Sequence, residues 1–358
     1  MNEKVIVKLG WNVDLDSRKV IIMKTRRVTI EMVAAEANVS VNAVSRALSG
    51  KDGVGEETRN RIIEIAQKLH YRPNILAKSM RQNNSGFIGV LVLDIGNSVF
   101  TKMIKGIENE LQKNSLSIII GNSDENEEKE HHYLETMLST QCSGIIISHV
   151  SNSGLKLLRQ EGVPFVVLDR DTENFDCDLV YIDNCHMGYT ATKHLIGLGH
   201  RNIAFIGKES FFDTDQKRRA EGFKKALQEM SADKPECIYL CRDANQGSQT
   251  FHDLWNQSSR PTALVIGQHS IAEGVVFMIN QMNVKIPQEL SVVIIGEPRW
   301  ATIFSPNFTT IERPLELIGV KAAELLMEKI KGESSGPYTN LVIPSDLVIR
   351  ESTAAPRR

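Results

Sequence analysis

Residues 28–49 read VTIEMVAAEANVSVNAVSRALS, and their pattern predicts the fold of the amino-terminal part of the chain. Apolar residues in the first half recur every three or four positions, which predicts a short amphipathic helix carrying Ile30, Val33, Ala34 and Ala37 on one face. Asn38 suits the tight turn that follows, because asparagine tolerates the left-handed backbone that a helix end often needs. Ser40 is then a candidate N-cap for a second helix.

The second predicted helix buries Val44, Ala47 and Leu48. Its first turns point four other side chains outward, namely Val41, Asn42, Ser45 and Arg46. Two short helices joined by a tight turn, with polar and arginine side chains at the start of the second, are typical of a helix-turn-helix DNA reader. An ordinary helical hairpin is the alternative interpretation of this window taken alone.

Residues 56–69 predict a third amphipathic helix with Ile62, Ile65, Ala66 and Leu69 on one face, and Pro73 ends it. A short helical run, ILAKSMR, follows. Residues 24–84 hold eleven lysines and arginines against six aspartates and glutamates, whereas the whole chain has a net charge of −2. A basic head on an acidic body suits a head that meets phosphates, although a solvated basic face would look the same.

From residue 87 the periodicity changes to short apolar runs separated by helix-length stretches. These runs are FIGVLVLD, LSIIIG, GIIIS and PFVVLD, then IAFIG, CIYL, TALVI and LSVVII. Such a pattern predicts buried parallel strands with crossover helices. At 358 residues the chain is too long for one compact core. We therefore expect an α/β body of two doubly wound lobes, with ligands in the cleft at the carboxyl ends of the strands.

The predicted domain boundaries follow from these changes of pattern. They are residues 1–23, an extension to which we assign no function; 24–72, the helix-turn-helix head; 73–84, a hinge helix or linker; and 85–352, the effector-binding and dimerisation body. In the body, lobe 1 takes residues 85–184 and 314–335, and lobe 2 takes 185–313 and 336–352. The run LVIPSDLVIRE is predicted to be a last strand that closes lobe 2.

The sequence resembles the LacI/GalR family of bacterial transcription regulators. The resemblance is carried by VTIEMVAAEANVSVNAVSRALSG, ETRNRIIEIAQKLHYRPNILAKSMR and SGFIGVLVLD. Less specific matches continue through the body, at GHRNIAFIG (199–207), at Arg219 followed by Glu221-Gly222-Phe223, and at PNFTTI (306–311). This body is similar to a periplasmic sugar-binding protein, as the family's is, which implies the bilobed architecture.

The resemblance implies a dimer on a near-palindromic operator. Val41, Asn42 and Arg46 are then expected to read base edges in the major groove. Four residues are expected to position the phosphate backbone, namely Thr29, Ser40, Ser45 and Asn74. In the hinge helix Ala77 and Lys78 would lie in or beside the minor groove. Met80, where the family has a leucine, would be the apolar wedge that kinks the central step; the alternative is an apolar residue on an amphipathic linker.

Candidate effector contacts come just after strand ends, namely Phe100, Asn122, Ser148, Asp169, Arg219 and Arg242. Arg219 is the best of these, because the family uses an arginine there to hold effector oxygens. A planar, permanently charged fork suits hydroxyl pairs, carboxylates and phosphates. A surface arginine beside Lys217 and Arg218 is the alternative.

Three departures from the family pattern concern the same cleft. Gln268-His269 stands where sugar-sensing members carry Asn-Asp, and Gly296-Glu297-Pro298 stands where Gly-Phe-Asp is usual. Arg242 replaces a ring that often stacks on a sugar. Fewer carboxylates with added arginine and histidine predict an anionic effector, such as a sugar acid or sugar phosphate. The alternatives are a nucleobase, a protein co-regulator, or a cleft that no longer binds a ligand tightly.

Other function classes find little support. His131 and His132 lie in an acidic helix start without metal-ligand spacing, which favours a solvated helix face. Five cysteines without paired CxxC spacing predict reduced thiols in a cytoplasmic protein, and no apolar run is long enough to cross a bilayer. No GxSxG, Walker or GxGxxG motif follows a predicted strand, so neither catalysis nor a cofactor is predicted.

The sequence is therefore interpreted as a homodimeric repressor of carbohydrate or sugar-acid genes that responds to a small molecule, with a tetramer left open. Two other classes remain as alternatives. One is a solute-binding protein whose head serves only for dimerisation, and the other is an enzyme built on the bilobed body.

Overall fold

The computed structural model describes residues 28–50, 52–71, 86–170, 172, 175–209, 214–229, 237–303, 305–333 and 338–357. The chain divides into two compact units, Met1–Lys78 and Ser79–Arg358. They correspond to the head and the body of the sequence analysis, and each is described by itself.

The head consists of three helices, α1 (Ile30–Glu36), α2 (Val41–Leu48) and α3 (Glu56–Lys68). Their common core is Val33, Ala34, Ala37, Val44, Ala47, Ile62 and Ala66. Asn38 has a φ of 51°, and Ser40 Oγ accepts a hydrogen bond of 3.2 Å from the Ala43 amide. The predicted turn and N-cap are therefore both present.

Two arginines of α3 fix the ends of the other two helices. Arg59 Nη1 donates to the Ala47 carbonyl at 3.1 Å, and Arg61 Nη2 donates to the Ala37 carbonyl at 3.2 Å. The last carbonyls of a helix have no partner within the helix, and a cation there also complements the helix dipole. These two contacts hold α1 and α2 against α3.

The first lobe is built on a parallel sheet in the order β11-β5-β4-β3-β1-β2. Its strands are β1 (Phe87–Val92), β2 (Ser117–Asn122), β3 (Gly144–Ile147), β4 (Phe165–Leu168), β5 (Leu179–Tyr181) and β11 (Asn340–Val342). Its helices are α4 (Ser98–Gln112), α5 (Glu127–Ser139), α6 (Asn152–Gln160) and α11 (Leu315–Lys331). The two central strands β3 and β4 are buried along their whole length, as expected where helices cover both faces of a parallel sheet.

The second lobe repeats this architecture in the order β12-β10-β9-β8-β6-β7, with only β12 antiparallel. Its strands are β6 (Ile203–Lys208), β7 (Cys237–Cys241), β8 (Ala263–Ile266), β9 (Ser291–Ile295), β10 (Thr309–Glu312) and β12 (Asp346–Val348). Its helices are α7 (Asn184–Gly197), α8 (Thr214–Gln228), α9 (Ala244–Trp255), α10 (His269–Gln281) and a 3₁₀ turn, Arg299–Thr302. The prediction of two doubly wound subdomains is confirmed.

The prediction for the last strand is wrong in its first half. Asn340–Val342 pairs in parallel with β5 of the first sheet, and only Asp346–Val348 pairs with β10 of the second. Pro344 lies between the two pieces, and a proline cannot donate to a strand ladder. The run LVIPSDLVIRE is therefore a third crossing between the lobes. Sequence reasoning also missed two short strands, β5 and β10, and the helix α7, whose apolar pattern is mixed.

Glycines allow the helices on the outer faces to approach closely. A Cβ on Gly188 of α7 would lie 1.9 Å from the Arg219 carbonyl oxygen of α8, and one on Gly222 would meet the Cys185 carbonyl. Gly319 of α11 faces the Met103 carbonyl of α4 in the same way, and Gly274 of α10 faces that of Ala244. In each pair, backbone packs directly on backbone, which fixes the distance between the helices.

We expect Gly188→Ala to destabilise the body, because its Cβ would overlap the backbone of α8. Overpacking of this kind costs about 1–3 kcal/mol in unfolding free energy, measurable by urea denaturation. Gly197→Ala is the matched control on the same helix, since a Cβ there has nothing within 4 Å. Equal stability of the two variants would contradict the close crossing.

Candidate effector cavity and nucleic-acid interface

A cavity opens between the two lobes of the body. From the first lobe, Leu93 and Asp94 follow β1, and Asp169 and Arg170 follow β4. From the second lobe, Lys208 ends β6, Gln268 and His269 follow β8, Ile295 ends β9 and Arg313 follows β10. The cavity thus lies at the carboxyl ends of both sheets, where ligands bind in folds of this class.

The structure brings five of the predicted effector residues together around this cavity, namely Phe100, Asp169, Arg219, Gln268 and His269. Their role in binding an effector stays a prediction. The sequence signal was sound for them because each follows the carboxyl end of a strand or lies in the first turns of the helix after it.

The other four predicted effector residues are not among those that line the cavity. Asn122 Oδ1 accepts from the Ile95 amide at the edge of the first sheet, and Ser148, the first residue after β3, is fully buried. Arg242 is exposed and donates to Gln246 Oε1. Glu297 forms two ion pairs instead: its Oε2 is 3.7 Å from Arg313 Nε, and its Oε1 is 3.6 Å from Lys102 Nζ.

Arg219 is held in a fixed direction at the cavity wall. It is only 5% exposed, Nε donates to Asn184 Oδ1, and Nη1 donates to the Gly267 carbonyl, both at 2.8 Å. Asn184 begins α7 and Gly267 directly follows β8, so one guanidinium joins three elements of the second lobe. Both of these acceptors are neutral oxygens.

Two further arginines line the cavity that sequence reasoning did not single out. Arg170 is 6% exposed and contacts the His149 carbonyl and Glu125 Oε1, each at 3.4 Å. The Arg313 side chain is 7% exposed. Both come immediately after a strand, and Asp169 before Arg170 has a φ of 68° that turns the chain there. Their positions just after strand ends were the signal by which sequence reasoning could have singled them out.

Three guanidinium groups bring positive charge to the buried part of the cavity, where Arg170 also pairs with Glu125 and Arg313 with Glu297. The buried charged side chains of the cavity are the three guanidinium groups, whereas Asp169 and Asp215 are half-buried and Asp94 and Glu125 are exposed. The amino ends of α4, α8 and α10 also reach the cavity through Asn97, Asp215 and Gln268. Helix amino ends favour negative charge. The arrangement therefore suits a ligand whose anionic group lies in the deeper part of the cavity.

Gln268 and His269 add hydrogen-bonding capacity beside these cations. Gln268 Oε1 is buried and has no hydrogen-bond partner among the described residues. A buried acceptor without a donor costs free energy, so it favours a ligand with an O–H or N–H group. Burial lowers the pKa of His269, and the charges of Arg313 and Arg219 lower it further. The imidazole is therefore neutral at pH 7 and can either donate or accept.

Behind Arg170 lies a buried acid, Glu130. Its Oε2 accepts a 2.5 Å hydrogen bond from the Val150 amide, and its Oε1 has no partner among the described residues. Burial raises the pKa of Glu130 to about 7, against the opposing effect of backbone hydrogen bonds and of Arg170. The carboxyl group thus changes charge near neutral pH, within the wall that carries Arg170.

On the head, the predicted DNA-reading residues lie on the accessible surface at the start of α2. Asn42, Arg46 and Ser40 are exposed, and Val41 and Ser45 are half-buried. Thr29 is exposed at the amino end of α1. The remaining predicted DNA contacts, Asn74, Ala77, Lys78 and Met80, lie outside the described residues.

The described residues contain no group of three or more His, Cys, Asp or Glu that could hold a metal ion. His131 instead lies 3.3 Å from Glu135 one helical turn along the exposed face of α5. All five cysteines are free thiols. None of the helices described is long and apolar enough to cross a membrane.

Comparison with known proteins agrees with both units. Residues 29–74 match the family of bacterial regulatory proteins called the lacI family, and residues 192–353 match the periplasmic binding protein-like domain. The repressor PurR of Escherichia coli O1:K1 is 31% identical over 332 residues, which cover 91% of this chain and 97% of that protein. The chain belongs to the lacI family. Catabolite control protein A of Priestia megaterium is 29% identical over 330 residues, or 91% and 99% of the two chains.

Solved structures of LacI-family regulators share the fold. The lac repressor dimer bound to operator and the anti-inducer ONPF has a TM-score of 0.82 at 22% identity, over 92% of this chain and all of that one. A LacI family regulator from Enterococcus faecium with bound ribose has a TM-score of 0.67 at 28% identity, over 76% and 100%. As a member of this family, the chain is a ligand-responsive DNA-binding repressor and not an enzyme.

The raised pKa of Glu130 predicts a pH-dependent stability. The pKa of this carboxyl group is about 7 in the folded protein and near 4.5 in the unfolded chain. The free energy of unfolding therefore falls as pH rises between these values. The loss reaches about 3 kcal/mol by pH 8. Glu130→Gln should abolish this part of the slope between pH 5 and pH 8 in urea denaturation. A slope that is identical in both proteins would contradict it.

Proposed function

We propose that this chain acts in the cytoplasm as a homodimeric repressor of genes for carbohydrate or sugar-acid metabolism. Its effector is an anionic sugar derivative, a sugar acid or sugar phosphate, bound in the cavity between the lobes. The observation that carries this proposal is the set of three buried guanidinium groups, Arg170, Arg219 and Arg313, around one cavity.

An anionic group alone would not use every feature of the cavity. Gln268 Oε1 requires a donor, and the half-buried carboxylates of Asp169 and Asp215 can accept from hydroxyl groups. Sugar hydroxyls supply such donors, while a carboxylate or phosphate suits the planar forks of the arginines. A sugar acid or sugar phosphate carries both kinds of group, and the ribose complex of the Enterococcus faecium relative supports the carbohydrate class.

The effector would act on the relative orientation of the two lobes. Arg170 belongs to the first lobe and Arg219 to the second, so an anion between them bridges both. A ligand that contacts both lobes favours the arrangement in which both contacts form. In a dimer, this arrangement sets the spacing of the paired heads, and the operator is accordingly near-palindromic. Whether the bound state releases DNA or holds it depends on which spacing fits the operator.

A thermal-shift screen of the full chain tests the effector class. The panel contains neutral sugars, sugar acids, sugar phosphates and nucleobases. A ligand at about 100 times its dissociation constant adds roughly 2.7 kcal/mol of stability, which is a readily measured shift. We expect a shift from sugar acids or sugar phosphates, because only they pair with the buried arginines. A shift confined to neutral sugars or nucleobases would contradict the anionic effector.

Matched arginine variants test the cavity itself. Arg219→Gln should abolish the ligand-induced shift, whereas Arg242→Gln should leave it unchanged, because Arg242 is exposed and bonded to Gln246 away from the cavity. A ligand-induced shift that depends on Arg242 and not on Arg219 would place the site elsewhere.

On the DNA side, we expect Arg46→Ala to relax base preference at one position in each half-site. A good bidentate contact between arginine and guanine is worth about 1–3 kcal/mol of discrimination. The measurement is selection of binding sequences from a randomised DNA pool, followed by affinities for the selected and substituted operators. Weakening that is uniform over all sequences would instead assign Arg46 to the phosphate backbone.

A further inference from the structure

Gly53 lies directly against the tip of Arg46. A Cβ built on Gly53 would be 2.7 Å from Arg46 Nη1 and 3.8 Å from Cζ, and no other residue comes within 4 Å of that position. Arg46 is exposed on α2, and Gly53 belongs to the segment between α2 and α3. The guanidinium group therefore occupies the space that a side chain at position 53 would fill.

The two neighbouring glycines do not share this contact. Gly50 also has a positive φ, 72°, but a Cβ there has nothing within 4 Å, and the same open space surrounds Gly55. Gly53 has a φ of 97°. The backbone conformation favours glycine at both 50 and 53, yet only Gly53 adjoins Arg46. Chain reversal therefore explains Gly50, whereas Gly53 serves both the turn and the arginine.

We propose that Gly53 is a specificity-determining position of the DNA reader, because its bare backbone sets where the Arg46 guanidinium lies. This inference rests on the proposed function, in which Arg46 reads a base edge. Gly53 itself is a positioning residue and acts only through Arg46.

The physical argument is one of distance. Ordinary contact with a Cβ begins at 3.4 Å, so a methyl group at 53 moves Nη1 outward from 2.7 Å by at least that difference. The displaced atom is the tip of a flexible side chain, so the fold accommodates the shift at little cost. A bidentate hydrogen bond is less tolerant, because both N–H groups must meet their acceptors within a few tenths of an ångström and at good angles.

The experiment compares Gly53→Ala with Gly50→Ala in the full chain. Both variants place an alanine at a positive φ, 72° at position 50 and 97° at position 53, so both carry backbone strain, but only the first adds a Cβ against Arg46. Binding sequences are selected from a randomised DNA pool for each protein. We expect Gly53→Ala to change the preference by at least about fivefold at the base position that Arg46→Ala affects. We expect the base preference of Gly50→Ala to match that of the wild type.

A double variant separates positioning from a general effect on the head. In an Arg46→Ala background, Gly53→Ala should cause no further change in base preference, since the side chain that it displaces is gone. A change that persists in this background would overturn the proposal, as would a wild-type preference in Gly53→Ala alone. If Arg46→Ala itself leaves base preference unchanged, the role of Arg46 and this inference both fail.

The same comparison works if alanine prevents folding. Gly53→Asn and Gly50→Asn add the same Cβ with a side chain that tolerates a positive φ. Chemical denaturation should then show similar stability for the two asparagine variants, and a change in base preference confined to Gly53→Asn would support the proposal. Unchanged preference in a folded Gly53→Asn would overturn it.

Discussion

The close packing of α7 on α8 is the constraint on which the effector cavity depends. Gly188 and Gly222 let the two helices meet backbone to backbone, and this crossing brings Arg219 within reach of Asn184. From there the guanidinium also reaches the Gly267 carbonyl, directly after β8. Glycine inside a helix costs about 1 kcal/mol relative to alanine. Here that cost is offset by an approach that no larger residue permits, and a buried cation acquires a fixed direction.

Three segments join the two lobes, near residues 183, 313 and 343, and this determines how the cavity can respond to a ligand. Three parallel connections favour rotation about a common hinge over a free displacement of one lobe. Arg313 follows the strand that leads into the second of these segments and pairs with Glu297, which also contacts Lys102 of α4. A ligand that engages Arg313 therefore acts next to the hinge itself, where a small shift becomes a larger one at the far ends of the lobes.

Much of the fold could be predicted from sequence because its signals are local. Asn38 and Ser40 specify a turn and a cap within a few residues, and strands such as β3 and β4 are continuous apolar runs. Residues 340–348 could not be assigned, because two strands of three residues carry too little pattern to show which sheet they join. Arg219 was singled out by resemblance and does line the cavity, as do Arg170 and Arg313, which were not singled out, whereas Arg242 does not line it. A side chain that follows a strand is brought to the cleft or turned away from it by local backbone geometry, such as the positive φ of Asp169.

In both units, a glycine without a side chain leaves room for a nearby arginine. Sequence motifs do not reveal such glycines. Gly188 lets the backbone of α8 approach α7, which determines where the Arg219 side chain begins. Gly53 leaves the space in which the guanidinium group of Arg46 lies. In a sequence, a glycine is ordinarily interpreted through its own backbone, as a turn or a helix breaker. Its effect here is on a neighbour that is distant in sequence or separated by a turn, so the sequence pattern does not identify that neighbour. The position of an arginine side chain thus depends on its own contacts and on the space that neighbouring glycines leave.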